Sequence, residues 1–213
     1  AFATYSDDSL GGTRVGSQRV PRNFTSENWG AQVTGPIIKD KLFFAVTFER
    51  LRDQVPAELG IAGEGFANSV PNLTRAQVDQ VRQIAQSVYS YDTLDLARSV
   101  PEEDDKLVVK LDWNVTDRHR AAATYIYNKG TTLAGQTTGA VLTQASPALA
   151  LQSNNYEQGE ILHYGVFQLN SEWSDSFSTT LRASYNDYKR LQVPFNGREF
   201  GQFQVCLDPT NPT

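Results

Sequence analysis

The sequence predicts an all-β protein, an antiparallel transmembrane β-barrel with long extracellular loops, one of which contains a short helix. Three observations favour this fold class. Apolar and polar residues alternate with a period of two in three pairs of segments, which is typical of strands with one apolar face. Long and short connections alternate strictly between these segments, and aromatic residues gather near both ends of the segments, as in outer-membrane barrels.

The composition narrows the class of protein further. The 213 residues carry a net charge of −5 and suffice for one large all-β domain or two small ones. The mean hydropathy is −0.43, and no stretch approaches the roughly 20 apolar residues of a membrane-spanning helix. Strands that alternate lipid-facing and water-facing side chains need no such stretch. The acidic balance and the lack of a basic stripe argue against a nucleic-acid partner.

The first predicted hairpin spans Trp29–Arg50, with a charged turn at Lys39, Asp40 and Lys41. One face carries Trp29, Ala31, Val33, Gly35, Ile37, Leu42, Phe44, Val46 and Phe48. The opposite face carries Gln32, Thr34, Ala45, Thr47 and Glu49. Period-two alternation on both sides of a short polar turn predicts a β-hairpin.

Two further hairpins are predicted near 106–128 and 161–189, with short turns at Thr116–Arg118 and Ser174–Ser176. Each repeats one arrangement, in which a Trp lies beside the turn and Tyr residues lie toward the far end, namely Trp113 and Trp173, and Tyr125, Tyr127, Tyr185 and Tyr188. The face opposite the apolar one is predicted to face a lumen through Lys110, Asp112, Asn114, Gln168, Asn170 and Arg182. A dry core would not accept so many polar groups, whereas a wet lumen does.

The long connections are predicted near 6–28, 51–105, 129–160 and 190–213. Because successive strands reverse direction, all of them lie at one end of the sheet and all the short turns lie at the other. Soluble domains usually have connections of about 4–6 residues on both ends, whereas outer-membrane barrels have short periplasmic turns and long extracellular loops. A soluble antiparallel sheet with one solvated face also alternates and remains an alternative.

One segment of the second long loop is predicted to be helical. Thr74 and Gln77 have the spacing of a capping box, and apolar residues recur at helical intervals over Arg75–Tyr89. Ligand capture in the loops is assigned to this helix and to the aromatic residues Phe66, Tyr89, Tyr91 and Tyr156. The alternative is that the helix only caps its own loop, by burying Val81, Ile84 and Val88.

No catalytic constellation is found, and we predict a protein that is not an enzyme and has no metal or cofactor. His119 and His163 are far apart and lack ligand spacing. The run Glu102–Asp105 lacks the spaced oxygens and interleaved Gly of a calcium loop, so we expect a solvated charge run.

The stretch WGAQVTGPIIKDKLFFAVTFER resembles an early barrel hairpin of Oar-like TonB-dependent outer-membrane receptors, a branch with carboxypeptidase-regulatory-like and OmpA-related members. The stretches DDKLVVKLDWNVTDRHRAAATYIYNKG and QLNSEWSDSFSTTLRASYNDYKR are similar to the two hairpins that follow in that family. The resemblance runs from about Ser26 to Leu207. The departures are Thr34-Gly35-Pro36, where two glycines usually precede the proline, and Thr47-Phe48-Glu49, where Ser-Tyr-Glu is frequent.

The resemblance implies a function in active nutrient uptake across the bacterial outer membrane. The implied partners are membrane lipid, an N-terminal plug domain, the TonB energy-coupling complex and an unidentified nutrient. The chain would then supply about seven or eight strands of a barrel of about 22 strands, without the plug. A self-contained outer-membrane barrel or adhesin, and a soluble extracellular β-sandwich that binds a ligand, are the alternatives.

Cys206 is the only cysteine, so no disulfide can form within these residues. An unpaired cysteine is unusual in an oxidising compartment. We therefore expect the partner of Cys206 in the same loop, beyond Thr213.

Overall fold

A computed structural model describes residues 1–19, 24–135, 148–199, 201, 203, 205 and 206. Over these residues the chain is mostly antiparallel β-sheet with a single α-helix, which confirms the all-β class. The elements are β1 Phe2–Asp7, β2 Arg14–Val15, β3 Gln18–Arg19, β4 Thr25–Ile38, β5 Leu42–Pro56, β6 Leu59–Gly60, β7 Asn68–Ser69, α1 Arg75–Tyr89, β8 Ser99–Thr116, β9 His119–Gly135, a 3-10 helix at Gln152–Asn154, β10 Asn155–Ser174 and β11 Phe177–Pro194.

One seven-stranded sheet dominates the structure, in the order β1-β4-β5-β8-β9-β10-β11. Every neighbouring pair in it is antiparallel and adjacent in the sequence of long strands, so the sheet is a meander. It is not closed, because β1 and β11 form its two edges. The edge strand β1 pairs with β4 from Phe2 opposite Gly30 to Asp7 opposite Thr25.

The strands extend well beyond the limits that alternation predicted. The hairpin expected at 29–50 is formed by β4 and β5, which cover 25–56, and the other two hairpins cover 99–135 and 155–194. The run Glu102–Asp105, expected in a loop, lies inside β8 and pairs with residues 50–53 of β5. Both faces of the sheet are polar in this region, so apolar alternation no longer marks the strands, and charged cross-strand pairs take its place.

The short turns are at one end of the sheet and are tied to neighbouring strands. The Asn114 backbone N–H donates a hydrogen bond of 2.7 Å to the carbonyl of Lys41 in the first turn. The Glu172 N–H donates one of 2.9 Å to the carbonyl of Arg118 in the second. Asp40 has a left-handed backbone conformation, φ 61°, which Asp tolerates better than most residues. These bonds fix the relative register of the three hairpins at this end.

Among the described residues, buried apolar side chains lie only in the segment between β5 and β8. Ile61, Val70, Val78, Ala85 and Leu96 are buried there, and no described residue of the seven-stranded sheet has a buried large apolar side chain. The sheet is therefore a single layer whose two faces are both accessible.

The helix α1 has the bounds that the sequence predicted. The Thr74 hydroxyl accepts from the Gln77 N–H and the Gln77 side chain accepts from the Thr74 N–H, which forms the expected capping box. Ser90 ends the helix in a left-handed conformation, φ 52°. No described helix is long and apolar enough to cross a membrane.

The buried face of α1 differs from the one considered in the loop-capping alternative. Val78 and Ala85 are buried, while Ile84 is 47% exposed and Val88 is 66% exposed. That alternative was wrong about Ile84 and Val88, because the residues that α1 packs against, Ile61 and Leu96, approach a different part of its apolar arc.

Candidate functional site

The register of the strands divides the sheet into two chemically distinct faces. Residues opposite each other share a face, so Phe44 of β5 lies beside Gly35 and Leu111, and this row continues through Ala123, Phe167 and Ala183. We call this side of the sheet the apolar face and the other side the polar face. The next row of the apolar face toward the long loops contains Val33, Val46, Val109, Tyr125, Gly165 and Tyr185.

Apolar rows follow one another from the short turns toward the middle of the strands. On β5 they run from Leu42 to Phe48, and on β8 from Trp113 to Leu107. Six residue steps correspond to about 20 Å along a strand. The apolar face thus carries a continuous apolar band that is about 20 Å long along these two strands, which is most of the length of a transmembrane strand of about 9–11 residues.

Aromatic side chains mark both limits of this band. All three tryptophans lie on the apolar face, with Trp113 and Trp173 beside short turns and Trp29 at the opposite limit, and they are 49%, 57% and 43% exposed. Trp29 lies 5.2 Å from the Phe48 ring, between ring centroids. On the apolar face, Tyr127 lies in the last apolar row before the long loops, and Tyr125 and Tyr185 lie one row nearer the short turns. Tyr188 was grouped with them, but it lies on the polar face, opposite Leu162.

A row of charged residues borders the band on the side of the long loops. Arg50 Nε lies 2.8 Å from Asp105 Oδ1, Arg52 Nη2 lies 2.8 Å from Asp105 Oδ2, and Arg52 Nε lies 3.2 Å from Glu103 Oε2. Hydrogen bonds from Arg50 and then Arg52 lower the pKa of Asp105 to about 2, against the opposing effect of its partial burial. In this region β5 and β8 have no apolar cross-strand pairs. Charge-assisted hydrogen bonds across three strand positions stabilise their pairing instead.

The six residues predicted to share a polar face do so. Asp112, Gln168 and Arg182 lie in one row, Asn114 and Asn170 in the next, and Lys110 in the row on the other side. The side chains are connected: Arg182 Nη2 donates to Gln168 Oε1 at 2.7 Å, Gln168 Nε2 donates to Asn170 Oδ1 at 3.1 Å, and Lys110 Nζ lies 2.9 Å from Asp112 Oδ2. The assignment of this face to a lumen stays a prediction.

The segments at the long-loop end form a small folded body, which we call the loop cap and define as residues 57–98, 148–154 and 195–196. Its apolar centre consists of Ile61, Val78 and Leu96, against which Phe66, Leu73, Leu149 and Leu151 pack. Backbone bonds join its segments: the Gln152 N–H donates to the Asp95 carbonyl at 2.9 Å, and the Ser153 N–H to the Thr93 carbonyl at 3.2 Å. The Asn196 amide donates to the Asp92 carbonyl. Three long loops are thus fastened to one another.

Arg75 in the first turn of α1 is the polar centre of the loop cap. Its guanidinium donates to Glu64 Oε1 at 2.8 Å and to Asp95 Oδ1 at 2.7 Å, and Arg98 Nη2 donates to Glu64 Oε2 at 2.8 Å. The bond from Arg75 lowers the pKa of Glu64, with a smaller effect of Arg98. Burial opposes ionisation of Asp95, yet the bonds from Arg75 and the Leu96 N–H lower its pKa. Sequence reasoning missed this cluster, because its members are 11 and 20 residues apart and belong to no motif.

The four aromatic residues assigned to ligand capture lie in different surroundings. Phe66 is half-buried against the apolar centre of the loop cap, and the Arg98 guanidinium lies 4.7 Å from its ring centroid. Tyr91 is half-buried beyond the end of α1, and Tyr156 is half-buried on β10 opposite Ala134 and Pro194. Tyr89 is 65% exposed at the end of α1. Of the four, Tyr89 has the accessibility that direct ligand contact needs.

Both histidines lie on the apolar face among aromatic rings. Tyr125 Oη and His163 Nδ1 are 2.8 Å apart, and the Tyr127 ring centroid lies 5.1 Å from that of His163. The His119 ring centroid lies 5.0 Å from that of Trp173. Among the described residues, no group of three or more His, Cys, Asp or Glu side chains is arranged to hold a metal ion. Cys206 is exposed.

No family model, curated protein or solved structure matches the chain. The resemblance carried by the three hairpin stretches therefore stays a prediction. The structural features that bear on function are the two faces of the sheet and the loop cap.

Proposed function

We propose that the seven-stranded sheet is part of the wall of an outer-membrane β-barrel, with the apolar face toward lipid and the polar face toward a water-filled lumen. The barrel belongs to a TonB-dependent receptor, which captures a nutrient at the loop cap and imports it with energy from the inner membrane. The observation that carries the proposal is the uncovered apolar band, bordered by aromatic residues on both sides and by charged residues on the side of the loops.

The size of the exposed apolar surface argues for lipid as its solvent. The described large residues of the apolar face that are more than 40% exposed include Trp29, Val33, Trp113, Phe167, Trp173, Phe177, Leu181 and Tyr185. With full areas of about 150–250 Å² for aromatic side chains, they alone expose roughly 500 Å² or more. Soluble monomers rarely expose a contiguous apolar patch above a few hundred Å². A soluble β-sandwich would cover this face with a second sheet, and the described residues contain no second sheet of more than two strands.

The two edges of the sheet bear on its place in a barrel. β1 and β11 each have one side without a strand partner among the described residues. Backbone groups in lipid must be paired, so an open edge cannot persist in the membrane. Further strands therefore complete the barrel, in line with the larger barrel of the family that the chain resembles.

The tryptophans allow the orientation of the sheet to be tested without foreign probes. All three lie on the apolar face, so phospholipids with brominated acyl chains should quench the native fluorescence, and aqueous acrylamide should quench it only weakly. The control is a variant with each Trp replaced by Phe and one Trp introduced on the polar face, Thr47→Trp, which should respond in the opposite way. Failure of brominated lipid to quench the native protein would eliminate the membrane assignment and leave the soluble binding module.

Nutrient uptake is tested separately in cells that produce the complete receptor. These cells should remove one compound from a defined mixture of siderophores, cobalamin, oligosaccharides and peptides faster than cells without the receptor. Dissipating the inner-membrane proton gradient should abolish the difference. A membrane-inserted protein that removes no compound in an energy-dependent way would instead support the adhesin alternative.

A further inference from the structure

The apolar face is not uniform, and one depression in it lies over β8, β9, β10 and β11. Its volume is about 470 Å³, within the range of small-molecule sites. The cause is an alternation of large and small residues across β9, β10 and β11. Gly165 lies between Tyr125 and Tyr185, and in the neighbouring row Phe167 lies between Ala123 and Ala183. The tyrosines form two walls, and the backbone at Gly165 forms the floor.

The floor of the depression is open rather than filled by a neighbour. A Cβ atom added at Gly165 would have no heavy atom within 4 Å, and the backbone there is not in the left-handed region. Two other glycines of the sheet have a steric reason, since a Cβ at Gly30 or Gly159 would lie within 3 Å of neighbouring backbone. The missing side chain at Gly165 therefore leaves space for a molecule outside the protein.

Cationic and hydrogen-bonding groups lie above this depression, toward the long loops. His163 occupies the next row between Tyr127 and Asp187, and Lys129 and Lys189 flank Ile161 in the row after that. The two lysines are two strands apart, about 10 Å between backbones, and lie about 13 Å along the strand from Gly165. Lys129 makes no ion pair with a described residue, and Lys189 Nζ lies 3.5 Å from the half-buried Asp187 carboxylate. The carboxylate nearest Lys129 across the sheet, Asp105, already binds two arginines.

From this order of groups we infer that the depression holds one phosphate-bearing lipid, with an acyl chain on Gly165 and the phosphate between Lys129 and Lys189. The inference rests on the proposed function, since it requires the apolar face to meet lipid. Long cationic side chains at the edge of an apolar band extend toward the headgroup region and attract anionic headgroups. His163 and Tyr127 lie where the polar linkage between phosphate and acyl chain would pass. A single acyl chain fits an open depression that lies between two tyrosines and ends at Phe167, whereas the surface of a globular partner does not.

Binding is measured on the complete protein, extracted in a nonionic detergent and stripped of lipid. Native mass spectrometry with dioleoyl phosphatidylglycerol should show one saturable lipid adduct. Dioleoylglycerol, which has the same chains and no phosphate, should bind at least tenfold more weakly, and inorganic phosphate alone should not compete. Equal binding of the two lipids would refute the assignment of the lysines to the phosphate. Displacement of the lipid by inorganic phosphate would refute the assignment of the depression to the acyl chain.

Two sets of variants test the contribution of the depression and that of the lysines separately. Gly165→Leu, which fills the depression, and the double variant Lys129→Gln/Lys189→Gln should each lower the affinity for phosphatidylglycerol at least tenfold. Gly35→Leu on the same face of β4, where a Cβ meets only one ordinary contact of 3.6 Å, is the matched control for the first variant. Lys39→Gln/Lys41→Gln in the short turn is the control for the second, and both controls should bind normally.

The outcomes also distinguish this inference from the proposed function. If brominated lipid quenches the tryptophans but all variants bind phosphatidylglycerol like the parent protein, only the lipid site is refuted. If brominated lipid fails to quench the tryptophan fluorescence, the membrane assignment itself is refuted. If Gly165→Leu does not assemble, Gly165→Ala takes its place. The inference then requires that Gly165→Ala lose at least threefold in affinity for phosphatidylglycerol and that Gly35→Ala lose none.

Discussion

The assignment of the two faces is tested most directly by Phe44→Arg, with Thr47→Arg as its control. Phe44 is on the apolar face, three residues from the short turn and six from the charged row at Arg50, about 10 Å and 20 Å along the strand. An arginine on the lipid-facing surface of a barrel costs about 2–4 kcal/mol at the midplane and about 0–1 kcal/mol at the interfaces. Phe44 lies between these positions and nearer the midplane, so we expect a loss of about 2–3 kcal/mol. This corresponds to a change of roughly 30- to 150-fold in the folding equilibrium.

Thr47 lies on the polar face between Gln32 and Val108, three residues further along the same strand. An arginine there meets water under the proposed orientation, so we expect a change within about 0.5 kcal/mol. Both variants are measured by urea unfolding from lipid vesicles, followed by Trp fluorescence. Equal losses in the two variants, or a larger loss for Thr47→Arg, would mean that the faces have been assigned the wrong way round.

Three further predictions concern the charged row and the loop cap. Folding lowers the pKa of Asp105 from 3.8 to about 2, so its ion pairs stabilise the folded protein above about pH 4 and are lost as the pH falls toward about 2. The free energy of unfolding, measured with urea, should therefore fall by about 2 kcal/mol over this pH range, and the Asp105→Asn variant should not show this fall. Arg75→Gln removes the bonds to Glu64 and should speed proteolytic cleavage of the loop cap at least several-fold, with no change in membrane insertion. Tyr89→Ala should weaken nutrient capture and leave the rate of proteolytic cleavage of the loop cap unchanged. Phe66→Ala should weaken capture and also speed cleavage. Faster cleavage in Tyr89→Ala and unchanged cleavage in Phe66→Ala would mean that Phe66 is the contact residue and Tyr89 the structural one.

The hairpins and the faces could be predicted from sequence because each depends on local alternation. Leu42, Phe44, Val46 and Phe48 share one parity and are all large and apolar, so the pattern assigns them to one face. The cross-strand register then extends the assignment over the sheet. The bounds of α1 were predictable for a related reason, since the capping box of Thr74 and Gln77 marks its start within four residues of sequence.

Features that depend on distant contacts were missed or wrong. The strand ends could not be predicted, because beyond Arg50 the stabilising pairs, such as Arg52 with Glu103, join residues about fifty positions apart. The buried face of α1 depends on where Ile61 and Leu96 approach it, which helical periodicity does not contain. Tyr188 was placed with Tyr185 by proximity in sequence, yet an odd separation puts them on opposite faces.

The extension of the strands beyond the charged row has a consequence for how such a receptor can diversify. β5 and β8 remain paired for six residues beyond Arg50 and Asp105, up to Pro56 and Ser99, so about 20 Å of hydrogen-bonded sheet separates the loop cap from the apolar band. The loop cap has its own apolar centre, whereas under the proposed function the band takes its stability from lipid. We therefore expect substitutions that change what the loop cap recognises to leave membrane assembly unchanged, so that recognition can evolve without a penalty in biogenesis.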